Sequence, residues 1–322
     1  MPLATTKKLS SVGIIGLILS IMNVATKTPW SYAISHQNFN AQDDTVEYAT
    51  ASATPQMRRW VGGREAKRLF AQTVTLRSEP FEATVVDFVK NWVYDKTGLL
   101  SQRLQNFVGS SMTHWDKLAS EALELGTSTL TYDGAAFFSA SHSTGKSGTI
   151  KNLVTSSEVP ELAVVHRDKT TVAEAADIIF ALLSHFQTFK DDAGEPIHDG
   201  LMKMLVMVPP KQFKAFAQAA TAKIVTDGVG SRDNPLSNSN IEVTVVANVR
   251  LTSNYAIYAF ATEGGDPALI LQQQGDVKPS SKAEGSDFEH DTDQWEFGIK
   301  ADRTVGLFCW QAAIKATIST AV

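Results

Sequence analysis

Cysteine is almost missing from this chain of 322 residues, because Cys309 is the only one. A single thiol cannot close a disulfide bond within the chain, and it cannot supply a cysteine-based metal cluster. The sequence therefore argues against a small secreted module held by disulfides and is typical of a reducing compartment. With 43% hydrophobic residues, the chain has enough apolar material for a packed core, which excludes a disordered protein.

An excess of positive charge is also absent, since 29 basic residues stand against 34 acidic ones and the formal net charge is -5. A surface with this balance repels a phosphate backbone as a whole. The composition therefore argues against nucleic-acid binding through a broad basic patch, although it leaves room for local basic patches.

The apolar run Val12–Met22 is too short to span a bilayer, for which about 20 residues are needed. The run follows Lys7 and Lys8 and precedes Ala25, which is the outline of a signal peptide. Asn23 stands where the cleavage site requires a small residue. Two interpretations stay open: a signal peptide of a secreted or periplasmic protein, or a segment that docks on its own domain or on a neighbouring subunit.

A phosphate-binding loop is suggested by residues 140–147, where the pattern lacks its first glycine but keeps Lys146 and Ser147. Such a loop cradles phosphates with backbone N–H groups and with the N-terminus of the helix that follows. Gly148 and β-branched residues stand where that helix should begin. A surface loop is therefore favoured, and a nucleotide-binding enzyme is kept as an alternative.

Hydrolase and metal-binding patterns are incomplete as well. Asp133, His142 and either Ser139 or Ser141 lie close in sequence, but no Gly-x-Ser-x-Gly elbow accompanies them. The seven histidines form no His-x-x-x-His or His-x-His pair. The acidic cluster over 284–293 lacks the glycine and final glutamate of an EF-hand, so we interpret it as a solvated loop or a charge-paired contact strip. No catalytic, cofactor-binding or metal-binding residue is predicted.

The pattern changes twice in the first half of the chain. Residues 26–57 are polar and irregular, which predicts an extended arm. Two β runs between Ala66 and Tyr94, interrupted at Ser78–Pro80, predict a hairpin that needs another surface to lie against. Between Gly98 and Gly126 apolar residues recur every three to four positions, which predicts one long amphipathic helix.

The second half mixes helices and strands without a repeat of fixed period, so the predicted fold class is α+β. Helical periodicity and glycine or proline boundaries define two helices, and apolar runs define the strands. The predicted elements are helices over 171–189 and 211–222, strands over 204–208, 241–246, 256–261 and 268–273, and a β-rich section over 295–317.

The order of these elements resembles the HK97-type fold of tailed-phage major capsid proteins, and the motifs resemble the Mu-like major head subunit family. Tyr132-Asp-Gly, Phe137-Phe138 and His142 are similar to the family's segment after the long helix, and Asn152 follows in the expected place. The later matching blocks are Asp192-Ala-Gly-Glu-Pro196, Leu205–Pro210, Asn234-Pro235, Ile241–Val243, Arg303, Gly306 and Trp310-Gln-Ala312.

The resemblance implies a structural protein without an active site, built in five parts. Val12–Met22 and the loop over 145–148 depart from the family pattern, so the role of the arm stays open. The implied parts are an N-terminal arm over 1–65, an extended hairpin or E-loop over 66–94, a peripheral domain with a spine helix over 95–170, an axial domain over 171–290, and C-terminal strands over 291–322 that return to the peripheral domain.

The resemblance also implies a major capsid protein that self-assembles as hexamers and pentamers into an icosahedral shell around phage DNA. Such a protein is located in the virion and is assembled in the host cytoplasm. The implied partners are other copies of the chain, scaffold, portal and decoration proteins, and packaged double-stranded DNA bound without specificity, with no membrane partner.

An irregular arm and a projecting hairpin cannot cover their own apolar residues, so another copy of the chain is expected to cover them. Self-assembly with large interfaces would meet that need. The predicted intersubunit contacts are Leu76, Arg77, Glu79, Phe81, Ile14 and Ile18.

Overall fold

The computed structural model describes residues 10–23, 28–51, 62, 71–94, 99–226, 230–238 and 240–321. The helices are α1 (Ser11–Asn23), α2 (Val89–Val93), α3 (Leu99–Leu125), α4 (Val172–Gln187), α5 (Pro210–Thr221), α6 (Pro235–Asn238) and α7 (Asp287–Thr292). The strands are β1 (Ser35–Asn38), β2 (Thr45–Ala51), β3 (Ala71–Arg77), β4 (Glu79–Phe88), β5 (Leu153–Val154), β6 (Ala163–Val164), β7 (Lys203–Val208), β8 (Ile224–Thr226), β9 (Ser231–Asp233), β10 (Glu242–Ala247), β11 (Ala256–Ala261), β12 (Leu269–Gln273), β13 (Lys278–Lys282), β14 (Gln294–Leu307), β15 (Ala313–Thr317) and β16 (Ser319–Thr320).

A mixed sheet, called sheet I here, has the strand order β10-β7-β11-β15-β5. β7 runs parallel to β10 and antiparallel to β11, and β15 runs antiparallel to β11 and parallel to β5. Every residue of β11 is buried, as expected for a central strand whose sequence is an unbroken apolar run. Sheet I therefore forms the centre of the larger core.

Helices α4 and α5 cover sheet I with their apolar sides. α4 begins with a capping box, in which Glu174 N–H donates to Thr171 Oγ1 and Thr171 N–H donates to the Glu174 carboxylate. Pro210 stands in the first turn of α5, where no N–H partner is required. These local signals explain why the predicted helices begin where they do.

A second sheet, called sheet II here, is organised by the 14-residue strand β14. One edge of β14 pairs with β4 along residues 294–303, and the other edge pairs with β13 and then with β12. β1 extends the sheet by parallel pairing with β12. Because β4 pairs only with β14 among the described strands, it lies at an edge of the sheet.

The 27-residue helix α3 connects the two sheets and is about 40 Å long at 1.5 Å per residue. Leu104 and Val108, in its first half, are buried against sheet II, and Ala119 and Leu123, in its second half, belong to the core of sheet I. The predicted long helix is thereby confirmed.

The apolar run near the N-terminus forms α1, which packs against α3 and β13. Ile14 and Ile18 are completely buried in a small cluster with Trp92, Trp295 and Phe297. The segment thus docks on its own domain, which is one of the interpretations that the sequence left open.

The hairpin predicted over 66–94 is wrong in its pairing. β3 pairs with β2, in the register Thr45↔Arg77 to Ala51↔Ala71, whereas β4 pairs with β14. Ser78 alone separates β3 from β4, and one residue is too short for a hairpin loop, whose common minimum is two. Pro80 is tolerated within β4 because the strand lies at an edge. The ribbon is therefore formed by residues 45–51 and 71–77, and the first of these segments lies in the predicted irregular arm.

The α+β class is confirmed, and so are the predicted helices and strands of the second half. The division into arm, peripheral domain, axial domain and returning C-terminal strands stays a prediction. Of the predicted E-loop, residues 66–70 lie outside the described residues.

Candidate assembly interface

The β2–β3 ribbon is anchored to the body of the subunit by the completely buried Gln272. Its Nε2 donates to Ser78 Oγ at 2.8 Å and to the carbonyl of Asp44 at 3.1 Å, and its Oε1 accepts from Tyr48 Oη at 2.9 Å. The N–H of Ser78 donates to the carbonyl of Asp44 at 2.7 Å and closes the base. One side chain of β12 thus fixes where the ribbon leaves sheet II.

The two faces of the ribbon differ in exposure. Opposite residues of an antiparallel pair share a face, and the pairs Val46↔Leu76 and Tyr48↔Val74 are half-buried. The alternate pairs are open to solvent. The exposed ribbon face consists of Thr45, Glu47, Ala49, Thr73, Thr75 and Arg77.

Four of the predicted contact residues lie at the ribbon base. Leu76 packs onto the backbone of Gly306 in β14, where a Cβ would overlap the leucine side chain. Phe81 contacts the His114 ring at a centroid distance of 4.5 Å. Arg77 and Glu79 are exposed, and Arg77 pairs with Asp44 at 3.2 Å. Leu76 and Phe81 therefore also serve their own subunit, and contact of all four with a neighbour stays a prediction.

Ile14 and Ile18 are covered by their own chain. Both side chains are 0% exposed, because α1 presses them against α3 and sheet II. In this arrangement both side chains face the core of their own chain, and their contact with another subunit stays a prediction. The physical reason is that an apolar helix buries its side chains on the nearest apolar surface, which here belongs to the same chain.

The candidate hydrolase residues form a buried structural node. His142 Nδ1 lies 2.6 Å from Asp133 Oδ2, its Nε2 lies 3.3 Å from the carbonyl of Phe137, and its ring stacks on Trp310 with 3.9 Å between centroids. Burial raises the pKa of Asp133, but hydrogen bonds from Thr131 and His142 outweigh it and hold that pKa below its usual value. In a serine hydrolase, the hydroxyl of the nucleophilic serine would contact Nε2 of the histidine. Here the carbonyl of Phe137 faces Nε2 of His142 instead.

The same node unites the motifs that are distant in sequence. Asn152 donates to the carbonyls of Phe137 at 2.7 Å and Trp310 at 3.2 Å, and Gln311 donates to Tyr132 Oη at 2.6 Å. The segment after α3 and the Trp310 block therefore contact each other directly. Their role in this structure is to hold the fold.

The candidate phosphate-binding loop is a surface loop, as the sequence favoured. Lys146 is exposed, and its N–H donates to the carbonyl of Asp192 at 2.9 Å. His142 and Ile150 form a β-bridge around the loop, and no α-helix begins in the described residues 148–171 that follow Ser147. The helix N-terminus that phosphate binding needs is therefore missing from this position.

Arg303 is a buried cation that the sequence analysis did not single out for a site. It is 3% exposed, its Nε donates to Gln273 Oε1 at 2.7 Å, its Nη1 donates to the Ser111 carbonyl at 2.7 Å, and its guanidinium lies 4.7 Å from the Trp115 centroid. Burial lowers the pKa of Arg303 to about 10. In the part of the chain that the structure describes, no carboxylate forms an ion pair with it.

Gln272 was missed by the sequence analysis as well. The available signal was the pair Gln272-Gln273 at the end of an otherwise apolar strand, since polar residues inside a buried run usually have specific partners. Which partners they have depends on how β12 meets the ribbon, and this is a contact across more than 190 residues.

Metal binding and membrane insertion find no support in the described ranges. No three histidine, cysteine, aspartate or glutamate side chains gather there as metal ligands would. His185 and His198 instead contact the backbone carbonyls of Lys151 and Gln311. None of the described helices has the length and hydrophobicity needed to cross a membrane.

The sequence matches a known family over residues 24–170. The family model is described as "Mu-like prophage major head subunit gpT". The matched range contains the ribbon, the spine helix and the segment Tyr132–His142, which carried the resemblance. No curated protein matches the sequence significantly.

Solved capsid structures share the fold. The procapsid of bacteriophage JBD30 has a TM-score of 0.54 and 16% identity over 95% of this chain and 74% of that chain. The mature capsid of bacteriophage PhiM1 has a TM-score of 0.51 and 10% identity over 91% and 87%. The capsid of the empty GTA particle has a TM-score of 0.51 and 10% identity over 92% of each chain. The sequence is thus similar to the Mu-like major head subunit family over residues 24–170, and the chain has the HK97-type fold of phage capsid proteins over nearly its full length.

Proposed function

We propose that copies of this chain assemble as hexamers and pentamers into an icosahedral shell around double-stranded phage DNA. The observation that carries the proposal is the β2–β3 ribbon. A two-stranded ribbon is marginally stable in water, and the exposed ribbon face is not covered by the described part of its own subunit. A neighbouring subunit would cover it.

The chain is proposed to act as a structural component without catalytic activity, assembled in the host cytoplasm. The buried His142 node and the exposed Lys146 loop both lack the groups that their enzyme classes need. Scaffold, portal and decoration proteins are the further proposed partners. DNA is proposed to be held without sequence specificity, because the net charge of -5 does not favour tight binding of phosphates.

The test is assembly of the purified chain, followed by negative-stain microscopy and sedimentation. The disruptive variant combines Glu47→Lys with Thr75→Lys, two opposite residues of the exposed ribbon face. The matched control is Thr226→Lys, which also places a lysine at an exposed threonine of a two-stranded ribbon, β8–β9. We expect closed particles from the unmodified chain and the control.

The disruptive variant is expected to give folded subunits with an unchanged unfolding transition and at least a tenfold lower particle yield, because two added lysines would disturb the contact with a neighbour. Normal particle yield from this variant would show that the exposed ribbon face is not an interface. The absence of particles from the unmodified chain, with its natural assembly partners supplied, would contradict the proposed shell. Lys146→Ala should leave assembly unchanged, and loss of an ATPase activity in this variant would refute the non-catalytic role.

A further inference from the structure

A cleft of about 380 Å³ opens between α3 and the β4–β14 pair. Its floor contains apolar side chains such as Phe81 and Ile299. Among the described residues, its walls carry four permanent cations and one carboxylate, that of Glu82. The cations are Lys117, Arg250, Lys300 and Arg303, and together with the floor they define the basic cleft.

The positive charge of the basic cleft is compensated only in part by the described residues of the subunit. Arg250 and Arg303 form no ion pair with a carboxylate there, and Asp116 acts on Arg250 only from beyond ion-pair distance. The ion pairs of Lys117 with Glu121 and of Lys300 with Asp302 are long, at 3.9 Å and 3.6 Å. A buried cation without a carboxylate is costly unless an anion approaches it.

His114, in the wall of the cleft, responds to the same field. Burial lowers the pKa of His114 to about 4, and the charges of Arg303, Lys117 and Arg250 act in the same direction. Lys117 from α3, Arg303 from β14 and Arg250 from the loop after β10 therefore all contribute positive potential inside the cleft. An anionic group with an apolar body suits a cleft of this composition.

An acidic surface of the same chain has the complementary charge. Residues 284–296 contain six carboxylates and no lysine or arginine. Asp287 and Asp291 lie four residues apart on α7, so they share one face, and both are exposed, as is Asp293. Among the described residues, no lysine or arginine pairs with any of these three. Residues 284–293 are called the acidic strip.

The acidic strip cannot reach the basic cleft of its own subunit. α7 ends where β14 begins at Gln294, and the cleft is lined by β14 residues from Ile299 to Arg303. At 3.3 Å per residue, the cleft centre lies about 20 Å further along the strand. The acidic strip can therefore reach a basic cleft only on another copy of the chain.

We propose that the acidic strip of one subunit docks in the basic cleft of the next, with Asp287 and Asp291 facing the exposed Arg250. Because the two surfaces are different, the contact is heterologous, and repetition of a heterologous contact closes rings or builds open filaments. Closed rings are what capsid hexamers and pentamers require. The inference rests on the proposed shell assembly and identifies one of its contacts.

The test is a charge exchange across the contact. The first variant is Arg250→Glu, the second combines Asp287→Lys with Asp291→Lys, and the third carries all three changes. All three residues are exposed, so the subunit should keep its unfolding transition. The matched controls are Lys169→Glu and the pair of Glu161→Lys with Asp199→Lys, which reverse exposed charges elsewhere.

We expect the first two variants to lower particle yield at least tenfold relative to their controls, and the third to recover most of that loss, since opposite charges again face each other. Normal yield from either of the first two variants would overturn the inference. Rescue of the α7 variant by Arg58→Glu with Arg59→Glu, in place of Arg250→Glu, would also overturn it and assign the strip to another basic segment.

A second measurement separates this contact from phosphate binding. Short double-stranded DNA should bind the unmodified chain and the Arg250→Glu variant equally. Loss of DNA binding with normal particle yield would make the cleft a phosphate site and refute docking of the acidic strip. Such a result would leave the proposed shell intact, whereas failure of the unmodified chain to form particles would contradict both proposals.

Discussion

Trp115 lies where three parts of the subunit meet. Its side chain is 2% exposed, the Arg303 guanidinium lies 4.7 Å from its ring centroid, and the Phe39 ring packs at 5.5 Å. The tryptophan therefore connects the spine helix to β14 and to the segment before the ribbon. It also provides the aromatic face that stabilises a buried cation.

We expect Trp115→Ala to lower the free energy of unfolding by about 3–5 kcal/mol, because a large buried ring is removed and Arg303 loses its aromatic neighbour. Urea unfolding monitored by circular dichroism measures the change. The matched control is Phe213→Ala on α5, where the ring is 38% exposed, and it should cost less than about 1.5 kcal/mol. An unchanged unfolding midpoint for Trp115→Ala would show that this position contributes no packing energy.

His114 should make the subunit sensitive to acid. Burial and the neighbouring Arg303, Lys117 and Arg250 lower the pKa of His114 from 6.5 to about 4, while Glu82 is the one carboxylate of the cleft wall. Between these two pH values the unfolded chain binds a proton that the folded chain does not, so this group lowers stability as pH falls.

Replacement of His114 by glutamine should make unfolding stability less dependent on pH between about 6.5 and 4, because the titrating group is removed. The measurement is urea unfolding at pH 7 and pH 5 for both proteins. His290, which is exposed and far from the cleft cations, provides the control replacement. An equal loss of stability in both proteins would show that His114 is not the source.

Residue-scale prediction from sequence succeeded for apolar side chains and failed for buried polar ones. The position of Trp115 on the apolar stripe of a helix follows from periodicity alone. Arg303 and Gln272 are residue types that are mostly exposed, so their burial follows only from the contacts of sheet II. The pairing of His142 with Asp133 could be suspected from sequence, but its structural role required the ring stack on Trp310.

At the scale of elements, α3, which is the predicted spine helix, contains a glycine whose replacement should stabilise the subunit. Gly109 lies within α3, and no atom stands within 4 Å of the position a Cβ would take. Gly126, which follows the helix, differs because a Cβ there would stand 2.6 Å from the Phe138 ring. A larger residue would therefore fit at Gly109, whereas Gly126 is required because Phe138 leaves no room for a side chain.

Gly109→Ala is expected to stabilise the subunit by about 0.5–1 kcal/mol, since glycine in a helix costs that much relative to alanine. Gly126→Ala is expected to destabilise it, because Phe138 is fully buried and has little room to move. Thermal unfolding of both variants tests the pair. Destabilisation by Gly109→Ala would mean that this helix face is packed more closely than the single subunit shows.

The ribbon shows what element-scale prediction lacks. The sequence predicts two β runs on either side of Ser78, which is correct for β3 and β4 as strands. Their partners could not be assigned, because β2 is only seven residues long with two alternating apolar positions, and β4 pairs with a strand more than 200 residues away. Strand existence is a local property, whereas strand pairing depends on the whole chain.

At the scale of the whole molecule, the subunit contains two separate apolar clusters joined by α3. The larger one lies around sheet I with α4 and α5. The smaller one contains Trp92, Trp295 and Phe297 with α1 and the first half of α3. A smaller buried cluster yields less stabilisation, so the region around α1 and β13 should open more easily than sheet I.

Amide hydrogen exchange measured by mass spectrometry tests this division. Trp92→Ala removes a ring that is 1% exposed and packs 4.9 Å from Phe297, so exchange should accelerate in α1, β13 and the first half of β14. Strands β7 and β11 should keep their protection, because the larger cluster does not depend on that ring. Phe186→Ala, in the larger cluster, should accelerate exchange throughout, since the subunit cannot stay folded without sheet I. Uniform acceleration by Trp92→Ala would instead show that α3 makes the two clusters one cooperative unit.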